Sequence, residues 1–201
     1  MDIYNLFPTA VGKSVRHLTD TEKKFFEELK NTEIVKNAGN SFTKNIHVLD
    51  NPILKDLKID LTDILNNYFQ KVIEPIDGIE TYITISWVNY TEQGEYHHEH
   101  SHPNSIFSGV YYIDADETDK ITFTNPKFLP FTLDIQSTNF NQWNSKSWWL
   151  PTPSNTVFIF PSSFGHRVEP TTNKNTRVSL SFNTFIKGNL YLDNGLKSLN
   201  L

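Results

Sequence analysis

Apolar residues between Ile53 and Ile73 recur at steps of three and four, at Ile53, Leu54, Leu57, Leu61, Ile64, Leu65, Tyr68, Phe69, Val72 and Ile73. This period predicts one long amphipathic helix over about 53–73 laid against a sheet. Asn51-Pro52 supplies its start, with Asn as the cap and Pro at the first helical position. Upstream, Thr19-Asp20-Thr21-Glu22 has capping-box spacing, so that the Thr19 hydroxyl and the Glu22 carboxylate satisfy amides of a first turn. A helix from about Asp20 to Lys30 follows, with Phe25, Phe26 and Leu29 on its apolar side. After Pro75-Ile76-Asp77-Gly78 the period changes to short β-branched and aromatic runs broken by Asn, Gly, Pro and Ser. These predict strands near Tyr82–Tyr90, Ser108–Ile113, Ile121–Thr124, Thr132–Ile135, Trp148–Leu150, Thr156–Phe160, His166–Glu169 and Arg177–Phe185. Eight short strands behind a helical prelude predict a mainly β fold with N-terminal helices, a jelly-roll barrel or sandwich backed by a long helix. No repeat or linker divides the chain, so a single domain is expected over 1–201, with a prelude to about 76, a core over about 80–187 and a tail over 188–201. The strand-poor stretch Asn125–Ser147, rich in Asn and Phe, is expected to be a long loop over the barrel mouth.

Charge and composition narrow the function. Eighteen basic against 23 acidic side chains give a net charge of −5, which offers no broad basic face for a nucleic-acid backbone. The chain has no cysteine, which removes disulfides, thiolate nucleophiles, zinc fingers and iron–sulfur clusters together. Any metal must then be held by His, Asp or Glu. No stretch of ~18 apolar residues and no basic-then-apolar leader occurs, so a soluble cytoplasmic protein without a membrane partner is expected. Only Arg16, Arg167 and Arg177 could form a bidentate anion site, which makes each of them worth following.

Candidate chemistry concentrates at Tyr96-His97-His98-Glu99-His100-Ser101-His102-Pro103, which holds four of the seven histidines. On an extended chain alternate side chains share a face, so His98, His100 and His102 would point one way and His97 and Glu99 the other. Two His-x-His pairs and one His-x-Glu pair are possible clips, and strand register decides among them. A clip of two needs a third ligand. His17 and His47 read as ordinary surface residues, whereas His166 follows the buried run Val157–Phe160 and a turn, where a barrel places a side chain at its mouth. Two ligands on one strand edge and a third on a distant strand, with open positions between, is the facial arrangement of non-haem iron, whose remaining sites take a 2-oxo acid and dioxygen. From Arg177 the chain alternates strictly, placing Arg177, Ser179, Ser181 and Asn183 on one face. A hairpin turning about Asn173 would set His166 opposite Leu180 and Arg177 three residues further, about 10 Å away at ~3.3 Å per residue. That is near the reach of 2-oxoglutarate held on iron with its far carboxylate on a guanidinium.

At these residues the chain resembles the 2-oxoglutarate and Fe(II)-dependent oxygenases, prolyl-4-hydroxylase-like in layout, and in particular a group from marine bacteria and phages. The features that carry the resemblance are Leu6-Phe7-Pro8, Trp87-Val88-Asn89, His100-Ser101-His102-Pro103-Asn104-Ser105 with Ser108-Gly109-Val110-Tyr111-Tyr112, Phe160-Pro161-Ser162 before His166, and Arg177-Val178-Ser179. The resemblance implies a double-stranded β-helix of cupin type, with His100, His102 and His166 as iron ligands. It also implies Arg177 and Ser179 on the far carboxylate of 2-oxoglutarate, Asn89 beside the cosubstrate or substrate, and Asn183 and Tyr112 facing substrate. The implied activity is hydroxylation of a C–H bond with release of succinate and CO2. A small molecule or a protein residue would be the substrate, in the host cytoplasm if the chain is phage-encoded, and a homodimer is one option for its assembly. One departure stands out: the superfamily has Asp or Glu at the position of His102, and an imidazole there leaves the metal one unit more positive. His97-x-Glu99 would supply the missing carboxylate but faces away from His100, so register favours His100-x-His102. Two other function classes remain. One is a three-histidine cupin-type metalloprotein that does not use 2-oxoglutarate, and the other is a jelly-roll structural or binding module.

Overall fold

The computed structural model describes residues 1–126, 135–191 and 196–201. Two antiparallel sheets face each other, and two helices cover the outer face of the larger one. In chain order the elements are β1 (Gly12–Val15), α1 (Asp20–Leu29), β2 (Ile34–Lys36), β3 (Ser41–Thr43), α2 (Lys55–Val72), β4 (Glu80–Thr91), β5 (His97–His100), β6 (Phe107–Asp114), β7 (Lys120–Thr124), β8 (Ser147–Pro151), β9 (Thr156–Pro161), β10 (His166–Val168) and β11 (Arg177–Lys187). The seven-stranded sheet runs β1-β9-β6-β11-β4-β3-β2, and the four-stranded sheet runs β5-β10-β7-β8. No helix among the described residues is long and apolar enough to cross a membrane.

Both helix starts form as the sequence expects. Thr19 Oγ1 accepts from the Glu22 amide at 3.3 Å while Glu22 Oε2 accepts from the Thr19 amide at 2.8 Å. Asn51 Oδ1 accepts from the Ile53 amide at 3.0 Å, and a single 3-10 turn from Pro52 leads into α2. Leu57, Leu61, Leu65, Tyr68 and Phe69 form the buried stripe of α2, whereas the outlying Ile53, Val72 and Ile73 are exposed. The prelude is not only helical: β1, β2 and β3 extend the large sheet on both sides. At three or four residues these strands are too short for a period to show, and β1 alternates half-buried with exposed positions. The expected strand at Thr132–Ile135 falls almost wholly on 127–134, outside the described residues.

Alternation within the large sheet builds two cores. Val88 and Tyr90 of β4, Val157 and Ile159 of β9, and Leu180 and Phe182 of β11 pack toward α1 and α2. Tyr112 of β6 and Phe158 and Phe160 of β9 turn the other way and meet Ile121 and Phe123 of β7 between the sheets. This inner filling occupies only the β6–β9 half. On the β4 and β11 half the inward positions are Trp87, Asn89, Arg177, Ser179 and Ser181, and there a cavity remains. The close fit of the outer core shows at Gly109, which is paired with Phe182; a Cβ there would overlap the Phe182 ring.

One ion pair ties the prelude to this body. Arg16, just after β1, donates from both terminal nitrogens to the Glu22 carboxylate on α1 and from Nε to Asp60 on α2 at 3.0 Å. Burial pushes the Glu22 carboxyl up, but the Arg16 side chain and the Thr19 amide together hold it below its ordinary value. The folded state therefore gains stability from this group above the unfolded carboxylate pKa and loses it as pH falls through the lower folded value. Glu22→Gln is expected to lower the unfolding free energy at pH 7 by about 3–5 kcal/mol, because it leaves the arginine without its buried partner. Denaturant titrations should show the difference from the unsubstituted protein shrinking below the ordinary glutamate range.

Candidate metal centre

β5 and β10 lie side by side, with His166 opposite His100 and Val168 opposite His97. Between these pairs two residues of β5, His98 and Glu99, therefore face one of β10, Arg167. This irregularity breaks the alternation that the sequence predicts and brings His97 and His100 to the same side, with rings stacked at 4.2 Å. His98 is exposed, and Glu99 points outward, where its Oε2 accepts from Arg167 Nη1 at 3.1 Å. The expected common face of His98, His100 and His102 is thus replaced by one holding His97, His100 and His102, and Glu99 of the competing pair is turned away. His102 lies beyond the end of β5, where its amide donates to the Ser162 carbonyl at 2.9 Å.

One ring nitrogen from each of His100, His102 and His166 lies within 4.8 Å of the other two, and the cluster could hold a metal ion. Backbone carbonyls orient two of the rings. His166 Nδ1 is 3.0 Å from the Phe164 carbonyl oxygen, and His100 Nδ1 is 2.8 Å from that of His98. A carbonyl can only accept, so each Nδ1 carries the proton and each Nε2 keeps its lone pair for the centre. His102 Nε2 is 3.4 Å from His166 Nε2, and the His102 ring also bonds with the Asn183 side chain. Asn183 Oδ1 in turn accepts from Ser108, whose Oγ lies 2.8 Å from that of Ser162. The walls are aromatic: Phe160 stands edge-on to His166 at 4.7 Å, and Trp87 lies 5.8 Å from His102. Burial is accordingly the main reason that His166 is pushed down to about 3 and His102 to about 4, with the neighbouring His100 adding to both. Burial also lowers His100 and takes His97 to about 3. All four are neutral imidazoles at neutral pH, the form that binds a metal.

The hairpin expected between β10 and β11 does not form. β10 pairs with β5 and β7, whereas β11 pairs with β4 and β6 in the opposite sheet. The residues after β10 cross from one sheet to the other, so His166 and Arg177 face each other across the interior and border the same cleft. Arg177 is buried, and its Nη1 donates to Asp119 Oδ1 at 2.9 Å. Nothing in the sequence pointed to Asp119. It sits in the turn before β7, 58 residues from Arg177, and its other oxygen accepts from the Asp116 amide at 2.9 Å. Ser179, Asn89 and Tyr112 are level with one another across β11, β4 and β6 and border the same cleft. Asn89 Nδ2 donates to Ser181 Oγ at 2.9 Å, and Tyr112 is sealed into the inner wall. Trp87 also borders the cleft, whereas Tyr111 belongs to the helix-side core. Trp143 and Trp148 border a separate groove beside the N-terminal segment, where Trp143 Nε1 donates to Asn5 at 2.7 Å. That contact places this described part of the expected mouth loop against the N-terminal segment.

Comparison with known proteins agrees with this arrangement. Residues 85–183 match the profile of a family described as "Putative 2OG-Fe(II) oxygenase". No curated protein sequence matches the chain. Among solved structures, HygX from Streptomyces hygroscopicus with nickel, 2-oxoglutarate and hygromycin B bound is 10% identical, with a TM-score of 0.59 over 88% of this chain and 82% of that one. A prolyl-4-hydroxylase from Pseudomonas putida is 11% identical, with a TM-score of 0.57 over 87% and 92%. The epimerase SnoN, in complex with Fe3+, alpha ketoglutarate and nogalamycin RO, is 11% identical, with a TM-score of 0.59 over 96% and 89%. Such low identities establish likeness of fold.

The placement of Glu99 and His102 yields a direct test by cobalt(II) titration of the purified protein. His102→Ala should weaken cobalt affinity by about a hundredfold or more, and Glu99→Ala, which loses only a half-exposed ion pair, by less than about threefold. The reverse pattern would put the carboxylate at the metal.

Proposed function

With residues 85–183 belonging to the 2OG-Fe(II) oxygenase family, an enzyme family, we propose that this chain binds Fe(II) through His100, His102 and His166 and uses 2-oxoglutarate to hydroxylate a C–H bond of a small molecule or a protein residue. The observation that carries the proposal is the pairing, in one buried cleft, of three imidazoles converging within 4.8 Å with the guanidinium of Arg177. The donor set fits the metal: neutral nitrogen ligands, two of them oriented by backbone carbonyls, suit a first-row divalent ion. When bound, the iron would supply a place for dioxygen to react, dioxygen being the oxidant for both partners: one oxygen atom would enter succinate as the 2-oxo acid loses CO2, and the other would enter the C–H bond as hydroxyl.

The chain's own residues supply position and dryness. Arg177 retains guanidinium N–H groups beyond the one engaged by Asp119, and with the Ser179 hydroxyl they offer the far carboxylate charged and neutral donors. Asn89, next to Ser179 on β4, borders the same end of the cleft. Asn183, bonded to both Ser108 and His102, acts on the metal ligand more directly than on a substrate. Phe160, Phe123 and Trp87 exclude water around the imidazoles, which strengthens electrostatic interactions inside.

A second reading, a three-histidine metalloprotein that does not use 2-oxoglutarate, draws on the outward turn of Glu99, which leaves histidine nitrogens alone at the centre. One titration separates the two. Added anaerobically to the Fe(II) form, 2-oxoglutarate should produce the weak visible band of a chelated 2-oxo acid, raise the melting temperature and bind about ten- to a hundredfold more weakly to Arg177→Lys, which keeps the charge but loses the planar fork. An unchanged spectrum and melting temperature would favour the second reading.

A further inference from the structure

One polar side chain on the cleft has no assigned task. Asn40, at the tip of the β2–β3 hairpin, is 2% exposed, and neither its Nδ2 nor its Oδ1 has a hydrogen-bond partner among the described residues. It borders the cleft together with Arg177, Ser179 and His97. Register places it more closely. Ser41 is opposite Tyr90 and Phe42 opposite Asn89, so Asn40, one residue earlier, is level with Thr91, and Thr91 is opposite Arg177. Asn40, Thr91 and Arg177 therefore form one row across β3, β4 and β11, at the level where the guanidinium lies.

The hairpin tip is fastened there. The Asn37 amide donates to the Asn40 carbonyl at 2.8 Å, and the Tyr96 amide, one residue before the histidine run, donates to the Gly39 carbonyl at 2.8 Å. A Cβ on residue 39 would come within 2.6 Å of the Tyr96 carbonyl oxygen, so this approach requires glycine. The fold thus holds a bare amide against the cavity wall, and in the protein alone a buried amide without partners is destabilising. A group kept at such a cost beside an arginine points to a ligand that supplies the partner.

We propose that Asn40 is part of the cosubstrate site, its NH2 group donating to the far carboxylate of 2-oxoglutarate alongside Arg177, so that the chain selects 2-oxo acids that end in a second carboxylate. This rests on the reading of the cleft as a 2-oxoglutarate site, and Asn40 lies outside the segment matched by the family profile. An amide suits the position because its NH2 can approach an anion that the Arg177–Asp119 pair leaves only partly neutralised. Thr91 and Arg177, its neighbours in the row, both carry donors for its oxygen.

The test compares Asn40→Leu, nearly the same shape, and Asn40→Asp with the unsubstituted protein, all loaded with Fe(II) without oxygen, by calorimetric titration. Asn40→Leu should weaken 2-oxoglutarate binding by about tenfold or more, Asn40→Asp by over about a hundredfold. Binding of 2-oxovalerate, which has a chain of the same length but no second carboxylate, should be equal in Asn40→Leu and the unsubstituted protein. Without 2-oxoglutarate, Asn40→Leu should melt at the same temperature or up to about 2–4 °C higher, since an unsatisfied amide has been removed. If the unsubstituted protein binds 2-oxoglutarate and Asn40→Leu matches it within twofold, the proposal fails while the cosubstrate site stands. A marked fall in the melting temperature of Asn40→Leu without ligand would make Asn40 a structural residue and also overturn it. Failure of the unsubstituted protein to bind 2-oxoglutarate would overturn both readings.

Discussion

The structure depends on one strand being used on both faces. Within β11, Leu180 and Phe182 must reach the helix-side core while Arg177, Ser179 and Ser181 enter the space between the sheets. A slip of one residue would exchange the two sets, burying a guanidinium against α2 and filling the cleft with leucine and phenylalanine. The slip is opposed at Gly109, where only the missing side chain admits the Phe182 ring, and by the leucine stripe of α2, which needs an apolar surface to cover. The helices are therefore part of the site's construction: they select the face of β11 that turns inward.

The small sheet adds the cluster of imidazoles by the opposite device, a break in alternation. Because two residues of β5 face one of β10, His97 and His100 share a side and Glu99 is sent outward to Arg167. His102, the next histidine of the cluster, belongs to no strand and is placed by the Ser162 carbonyl and Asn183. Serines, an asparagine and backbone carbonyls thus fix ring directions in a cavity whose aromatic lining keeps the imidazoles neutral.

Charge balance connects the two ends of the cleft. On the proposed reading, a divalent metal on three neutral imidazoles and a dianionic 2-oxo acid sum to zero, and the Arg177–Asp119 pair adds nothing to that sum. A centre with a carboxylate ligand and an unpaired arginine reaches the same total by another distribution. Here the acidic group has been placed beside the arginine, 2.9 Å from its Nη1, and the metal end is left to histidine. A buried cavity penalises net charge strongly, so on that reading the histidine at position 102 and the aspartate at position 119, which acts through Arg177, form one electrostatic arrangement.

The sequence by itself determined what depends on local period and local hydrogen bonding. The capping box at Thr19 and Glu22, the Asn51-Pro52 start, the stripe of α2, most of the longer strands and the inward face of β11 all follow from neighbours within a few residues. So did the grouping of histidines with a lone distant His166 and one alternating arginine. What depends on strands meeting across the chain was decided only by the tertiary structure. Period-two reasoning assumed unbroken extension and so grouped His98 with His100, and a hairpin was assumed where the chain instead crosses between sheets. Asp119 and Asn40 carried no local signal: one is a turn residue 58 positions from its arginine, the other the tip of a short hairpin docked on the histidine strand. Both acquire chemical meaning only when the two sheets close, which sets Asn40 on the cleft wall and Asp119 against the guanidinium of Arg177.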